Sequence, residues 1–226
     1  MWLFVGPVKL SGIGQVMSKY ADLLNAKYVT FTDDVTRAEY DRVFAFIIPQ
    51  TNSFRYIVDK FKPDLVMTVC ETEPVHENYK MIFDEFKTVL VPSEFCKNIL
   101  TKQFPGSDIR VFPHWPGHVT QCPSPTDRPY TFYTLGNVID PRKNIKMLIE
   151  AFIRCEFGPN ARLLIKATCI EPVKWKIPNV TVINGLLSDE DMNRIHDMGD
   201  CYVNCSHSEG VGMGAVEAAM RNKPVI

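Results

Sequence analysis

No apolar run in this chain is long enough to cross a bilayer. The N-terminal MWLFVGPVKL is short and carries no basic leader, and the longest later run, VFAFII at 43 to 48, falls far below the roughly 20 residues of a spanning helix. An excess of positive charge is also missing: Lys and Arg number 25 against 26 Asp and Glu, so no global field draws the protein to nucleic acid. There is no G-x-S-x-G elbow, no Walker A loop and no Cys/His nucleophile arrangement, and neither repeats nor low-complexity tracts occur. Cysteine appears seven times, an odd number without small-scaffold spacing, which points to a reduced compartment and a cytoplasmic location.

What is there has an ordinary globular balance, 46% apolar and 23% charged over 226 residues, enough for one large or two compact domains. Short β-branched or aromatic runs alternate with amphipathic stretches: WLFVG then GQVMSKYADLLN, VFAFIIP then FRYIVDKF, DLVMTVC then VHENYKMIFDEF, TVLVPS then EFCKNILTKQF. Such a rhythm predicts βαβ units with helices on both faces of a parallel sheet. Val16, Tyr20, Leu23 and Leu24 recur at helical spacing and supply the apolar face of the first helix. Five prolines in PHWPGHVTQCPSPTDRP then break the periodicity. The alternation resumes with TFYTLG, a helix from Asn144 to Cys155, ARLLIKAT, VTVING, a helix opened by Ser188 with Asp191 in a near capping box, DCYVNCS, a helix after Gly214, and PVI. The division predicted is an N-terminal domain 1–115, a linker 116–129 and a C-terminal domain 130–226.

Four stretches carry candidate chemistry. In SEGVGMGAVEAAM, Gly210, Gly212 and Gly214 permit close backbone approach, and a helix start offers N–H groups to an anion. A plain tight turn, with Glu217 in the first helical turn meeting the helix dipole, is the simpler reading. Glu209 and Glu217 flank that anion seat with carboxylates, an arrangement suited to sugar hydroxyls on either side of a phosphate. In GNVIDPRKNIKMLIEAF, Arg142 and Lys143 sit in a loop leading into a helix, where a guanidinium fork and an ammonium suit phosphate oxygens, unless both are only solvated. GPVKLSGIGQVM does not reproduce G-x-G-x-x-G, so it is either a simple connection or a ligand-lining loop with Ser11 and Gly12 nearest the ligand. TVCETEPVHENYK ends a strand with Glu71, Glu73 and His76, an acidic loop from which a general base could come, Glu71 first. Cys201, Cys205 and His207 look metal-like but lack a second pair at zinc spacing, and CYVNC reads as buried small residues on one strand face. His114 and His118, flanking Trp115, pack an aromatic cluster or line a cleft.

SEGVGMGAVEAAMRNKPVI resembles the E-x7-E signature of retaining glycosyltransferases of the GT-B fold, family 4 in particular. LLSDEDMNRIHDMGDCYVNCS and GNVIDPRKNIKMLIEAF are similar to the same family's C-terminal half in the same order, and CETEP with TVLVPSEFCKNIL is similar to a subset of it. The resemblance implies an α/β fold of two Rossmann-like parallel-sheet lobes facing across a cleft, with a C-terminal lobe truncated relative to the family. It implies transfer of a hexose-like sugar from a nucleoside diphosphate sugar to a hydroxyl, with retention, no metal and no cofactor beyond the donor substrate. Glu217 would bind the donor ribose and Glu209 the transferred sugar. Gly210, Val211, Gly212, Met213 and Gly214 would line the sugar and diphosphate, with Lys143 on the diphosphate. Asn137 stands where the family has an arginine, a loss that Arg142 would offset. The family's catalytic histidine has no clear match, and Glu71 or His76 would take its place. The acceptor, whether glycan, lipid or protein-linked, carries no readable code. A less covered final sheet edge implies self-association. The alternative is a non-catalytic sugar-nucleotide-binding module or an inactive remnant of such an enzyme.

Overall fold

The short apolar runs of the first half become one parallel sheet. The computed structural model describes residues 1–9, 11–117, 119, 127–168 and 171–226, the side chains of Thr51 and Asn52 excepted. Strands β1 (Trp2–Gly6), β2 (Lys27–Thr30), β3 (Arg42–Phe46), β4 (Leu65–Met67), β5 (Thr88–Val91) and β6 (Asp108–Val111) lie in the order β2-β1-β3-β4-β5-β6. Helices α1 (Gly12–Leu23), α2 (Thr51–Phe61), α3 (Lys80–Glu85) and α4 (Glu94–Gln103) connect them. Successive strand residues feed two different cores: Phe4, Phe44 and Phe46 join Met17, Tyr20 and Leu100, whereas Leu3, Val43 and Ala45 join Phe54, Phe61 and Ile82. A sheet buried on both faces is what continuous apolar strands require. β2 and β6 were not expected from the sequence, and the stretch expected as one helix over 75–86 divides into a 3-10 turn, Glu77–Tyr79, and the short α3.

Helix α1 starts two residues earlier than its apolar pattern suggests, because Ser11 is its N-cap and accepts from the Gly14 amide at 2.9 Å. Its buried face is Val16, Met17, Tyr20 and Ala21; Leu23 and Leu24, expected on that face, are 57% and 56% exposed. Leu23 is the last residue of the helix and Leu24 its C-cap, and Asn25 in the left-handed region turns the chain away.

Residues Met1–Gly117 with Glu209–Val211 form the first unit, and His118–Ser208 with Gly212–Ile226 form the second. The linker expected at 116–129 falls largely outside the described residues, as does His118. Within the first unit the segment from Pro113 is tied to α1, since Tyr20 donates to the Pro113 carbonyl, the Trp115 amide donates to the Tyr20 hydroxyl at 3.2 Å and Lys19 donates to the Pro116 carbonyl at 2.8 Å. His114 packs beside Phe46, ring centroids 6.3 Å apart, with its Nε2 buried. Burial holds its pKa down at about 4, below the ordinary 6.5, so the folded chain resists a proton that the unfolded chain accepts. Stability from this residue is complete above about pH 6.5 and is lost as the pH falls towards 4. Melting temperature followed across that window should decline in the natural chain and flatten in His114→Phe; an unchanged decline in the variant would refute the assignment.

In the second unit β7 (Tyr130–Gly136), β8 (Ala161–Ala167), β9 (Val180–Ile183) and β10 (Cys201–Tyr202) form a parallel sheet ordered β10-β7-β8-β9, with Tyr202 also bridging to Val225. Helices α5 (Ile145–Arg154), α6 (Asp189–Met198) and α7 (Met213–Met220) pack on it. Ile145, Leu148, Ile149 and Phe152 repeat at helical spacing and bury α5 against Leu163 and Ile165. Ser188 caps α6 through the Asp191 amide at 3.1 Å and bonds the Asp191 carboxylate at 2.8 Å, the near capping box expected from the sequence. Next to it, Asp200 accepts both guanidinium nitrogens of Arg128, at 2.7 and 2.9 Å, and the Thr131 amide at 2.7 Å, which ties the entry of β7 to that of β10.

Candidate functional site

The loop after β7 is built to be stiff. Asp140 caps the 3-10 turn Pro141–Lys143 through the Arg142 amide at 2.9 Å, proline occupies the first turn position, and Asn144 adopts φ 53° before α5 begins. The methylene stem of Lys143 lies over Gly136, where a Cβ would stand 3.6 Å from its Cγ, so the lysine crosses the C-terminal end of β7. Arg142 turns towards the other motif: its Nη1 donates to the Ser208 carbonyl at 2.9 Å and its Nη2 to Asp140 at 3.3 Å, while the His207 amide donates back to the Arg142 carbonyl at 2.8 Å. Two stretches 66 residues apart in sequence are thereby brought together. Arg142 thus clamps the approach to the glycine turn. Asn137 accepts the Ile139 amide at 3.2 Å, shaping its own turn.

Past Ser208 the chain enters that turn. Gly210 is buried in the first unit, where its carbonyl accepts the Ser93 hydroxyl at 2.7 Å and a Cβ would overlap a Val69 methyl. Gly212, at φ 72°, is the N-cap of α7, so the helix begins at Met213 rather than after Gly214 as expected. A Cβ on Gly214 would overlap the Tyr202 hydroxyl. Each glycine therefore has a packing or conformational cause of its own. The earlier helix start also corrects the place of Glu217, which lies in the second turn and not the first; no acidic residue stands in the first turn of α7.

What holds Glu217 is a group the sequence did not single out. His196 of α6, 1% exposed, places its Nε2 3.2 Å from Glu217 Oε2 and its Nδ1 2.9 Å from the hydroxyl of the fully buried Tyr133 in β7. Arg221 donates to the Glu217 carbonyl at 2.8 Å and to the Asn193 side chain. The Glu217 side chain keeps 19% of its surface exposed. Cys201 and Cys205 do not form the common strand face expected of them, because β10 ends at Tyr202; the Cys205 thiol instead meets the Lys143 and Asn144 carbonyls at 3.5 and 3.3 Å.

The remaining candidates belong to the first unit. Glu71 follows β4, half-buried; burial raises the nearby Tyr79 phenol, with Cys70, Cys96 and then Glu71 adding to the effect. His76 is exposed and caps the 3-10 turn by accepting the Asn78 amide at 3.2 Å, and Glu73 pairs with Lys102. Gly12 opens α1 facing open space, and Ser11 beside it is committed to the cap. The structure joins the basic loop to the segment leading into the glycine turn and holds Glu217 on a buried histidine. It gives Glu209 a partner as well, since that residue takes part in a polar contact.

No protein-family model matches the sequence, and no curated protein does. Among solved structures, WaaG, a glycosyltransferase involved in lipopolysaccharide biosynthesis, is similar with a TM-score of 0.61 at 10% identity, over 100% of this chain and 80% of that one. WaaB, a lipopolysaccharide outer core galactosyltransferase, is similar at 0.58 and 13% identity, over 99% and 79%. S. aureus TarM, in complex with fondaparinux, alpha-GlcNAc-glycerol and UDP, is similar at 0.57 and 17% identity; the matched part covers 81% of this chain and 40% of TarM. At such identities the likeness is one of fold. The fold is GT-B, two Rossmann-like α/β units each on a parallel sheet. Among the described residues no helix is long and apolar enough to cross a membrane.

Proposed function

We propose that the chain is a glycosyltransferase that binds a nucleoside diphosphate sugar and transfers its hexose-like sugar to a hydroxyl acceptor with retention, without a metal. The observation that carries this reading is a bond within the second unit: Arg142, from the loop that bears Lys143, is bonded to Ser208, the residue before Glu209 in sequence. The loop with Arg142 and Lys143 follows the C-terminal end of β7 and Ser208 lies past the end of β10, the end of a parallel sheet where α/β folds hold ligands. The GT-B fold, and UDP bound in a neighbour of that fold, support the donor class.

In this reading Glu217 takes the ribose hydroxyls and Glu209 those of the transferred sugar. Lys143 supplies positive charge to the departing diphosphate, and the backbone of Gly210, Val211, Gly212, Met213 and Gly214 supplies amides to the sugar and diphosphate. Charge developing on the leaving group is met by fixed cations and amides, which is the usual source of such rate enhancement. Glu71 is the candidate for accepting the acceptor's proton.

One observation favours the second reading, a module that binds sugar nucleotides without turnover. Asn137 replaces the cation the family resemblance leads one to expect, and Arg142 spends its fork on Ser208 and Asp140. A thermal-shift screen of UDP, GDP, ADP and CDP and their hexose conjugates, followed by product analysis with hydroxyl acceptors, separates the outcomes. A ligand at about 100 times its dissociation constant adds roughly 2.7 kcal/mol to stability. Binding with transfer or donor hydrolysis supports the enzyme, binding alone across many acceptors supports the module, and no shift with any diphosphate sinks both.

A further inference from the structure

The Tyr133–His196–Glu217 chain crosses the second unit from sheet to helix to helix, and its hydrogens can be assigned. Burial pushes the Tyr133 phenol well above its ordinary value, with the neighbouring Tyr202 adding to the effect, so the hydroxyl keeps its hydrogen. The carboxylate oxygen Oε2 of Glu217 is an acceptor, so Nε2 of His196 faces it as the donor, and Nδ1 meets the Tyr133 hydroxyl on the other side of the ring. Both nitrogens of the imidazole are then used, and the ring stands edge-on to Tyr133 at 90° with centroids 5.5 Å apart. A Cβ on Gly199, at the end of α6, would overlap the Tyr133 ring, so that ring has no room to swing away. Every member of the chain except the tip of Glu217 is sealed from water: Tyr133 is 0% and His196 1% exposed.

A buried histidine spent on orienting one largely buried carboxylate is more than the fold needs, because a leucine would pack there without a partner to find. We propose that His196 is a positioning residue of the donor site. It fixes one oxygen of Glu217 so that the carboxylate meets adjacent hydroxyls of a nucleoside ribose in one orientation, and Tyr133 fixes His196 in turn. The inference rests on the sugar-nucleotide reading above.

The test measures affinity of the full chain for UDP, GDP, ADP and CDP and for the 2′-deoxy and 3′-deoxy form of whichever ribonucleotide binds best. The natural chain should prefer the ribonucleotide by about 10-fold or more, the worth of one hydrogen bond to a charged group. His196→Leu should narrow that preference to about 2-fold, leaving the deoxy affinities nearly unchanged, because the ribose contact alone loses its orientation. His196→Gln, whose amide nitrogen can still donate to Glu217, should recover part of it. If His196→Leu does not fold, His196→Gln and Tyr133→Phe, which removes only the distal hydroxyl, decide the matter: Tyr133→Phe should narrow the preference to a lesser degree. Folded variants that lower the melting temperature yet keep the full ribose preference would overturn the proposal and leave the function standing. A natural chain that binds no nucleoside diphosphate would sink the sugar-nucleotide reading itself and this proposal with it, and one that binds ribo and deoxy forms equally would remove the ribose role of Glu217.

Discussion

Glu217→Ala should lower affinity for a bare nucleoside diphosphate by about 100-fold, the cost of losing the hydrogen bonds that two ribose hydroxyls would donate to its carboxylate in the proposed site. The residue sits in the second turn of α7 on a helix whose neighbours are buried, so truncation should leave the fold intact while emptying the side of the site that Glu217 fills. Removing the carboxylate leaves the Nε2–H of the buried His196 without its acceptor, which costs stability in the unliganded chain as well. The two effects are separable: melting temperature reads the second, titration calorimetry with UDP reads the first. Glu209→Ala is the counterpart. It should spare the bare nucleotide and reduce the additional affinity of the sugar conjugate. Equal binding of nucleotide and conjugate by both variants and the natural chain would dismiss the site assignment.

The largest stability loss is expected at Asp200→Ala, about 3–5 kcal/mol, as for other broken buried ion pairs. Asp200 and Arg128 are only 13% and 15% exposed, and the pairing is bidentate. Without the carboxylate, the guanidinium keeps its charge in a poorly solvated place and the Thr131 amide, which Asp200 also accepts, loses its partner at the start of β7. Arg128 and Arg162 both donate to the Thr131 hydroxyl, so the disturbance reaches the end of β8 too. Denaturant unfolding would measure the loss. Asp200→Asn, which still accepts the amide but carries no charge, should fall between; a variant as stable as the natural chain would show that the pair contributes nothing.

The parts of the fold legible in the sequence were those where both faces of a strand are buried. Phe44 and Ala45 belong to opposite cores, so β3 reads as an unbroken apolar run. β2 and β6 escaped notice because they are the two edges of the first sheet, where KYVT and DIRV mix polar with apolar residues over four positions. The strand–glycine–helix texture of the E-x7-E stretch was visible, but not where α7 begins: Gly212 in the left-handed region supplies the cap, and a pattern of letters does not carry φ. His196 was hidden for a different reason. In DEDMNRIHDM it looks like one more polar residue of an acidic helix, and only the adjacency of β7 and β10 and the packing of α6 against α7 bring Tyr133 and Glu217 to it. Arg142 was expected to face phosphate, and its bond to Ser208 could not be foreseen, since it depends on a contact across 66 residues.

The glycines of the turn have a bearing on how divergent copies of this chain should be read. Gly210 is kept small by Val69, Gly212 by its backbone angle and Gly214 by Tyr202, none of which involves a ligand. A descendant that had lost every trace of activity would still be under pressure to retain all three. In a comparison of homologues the glycines would therefore record ancestry of the fold and say nothing of whether a ligand is bound.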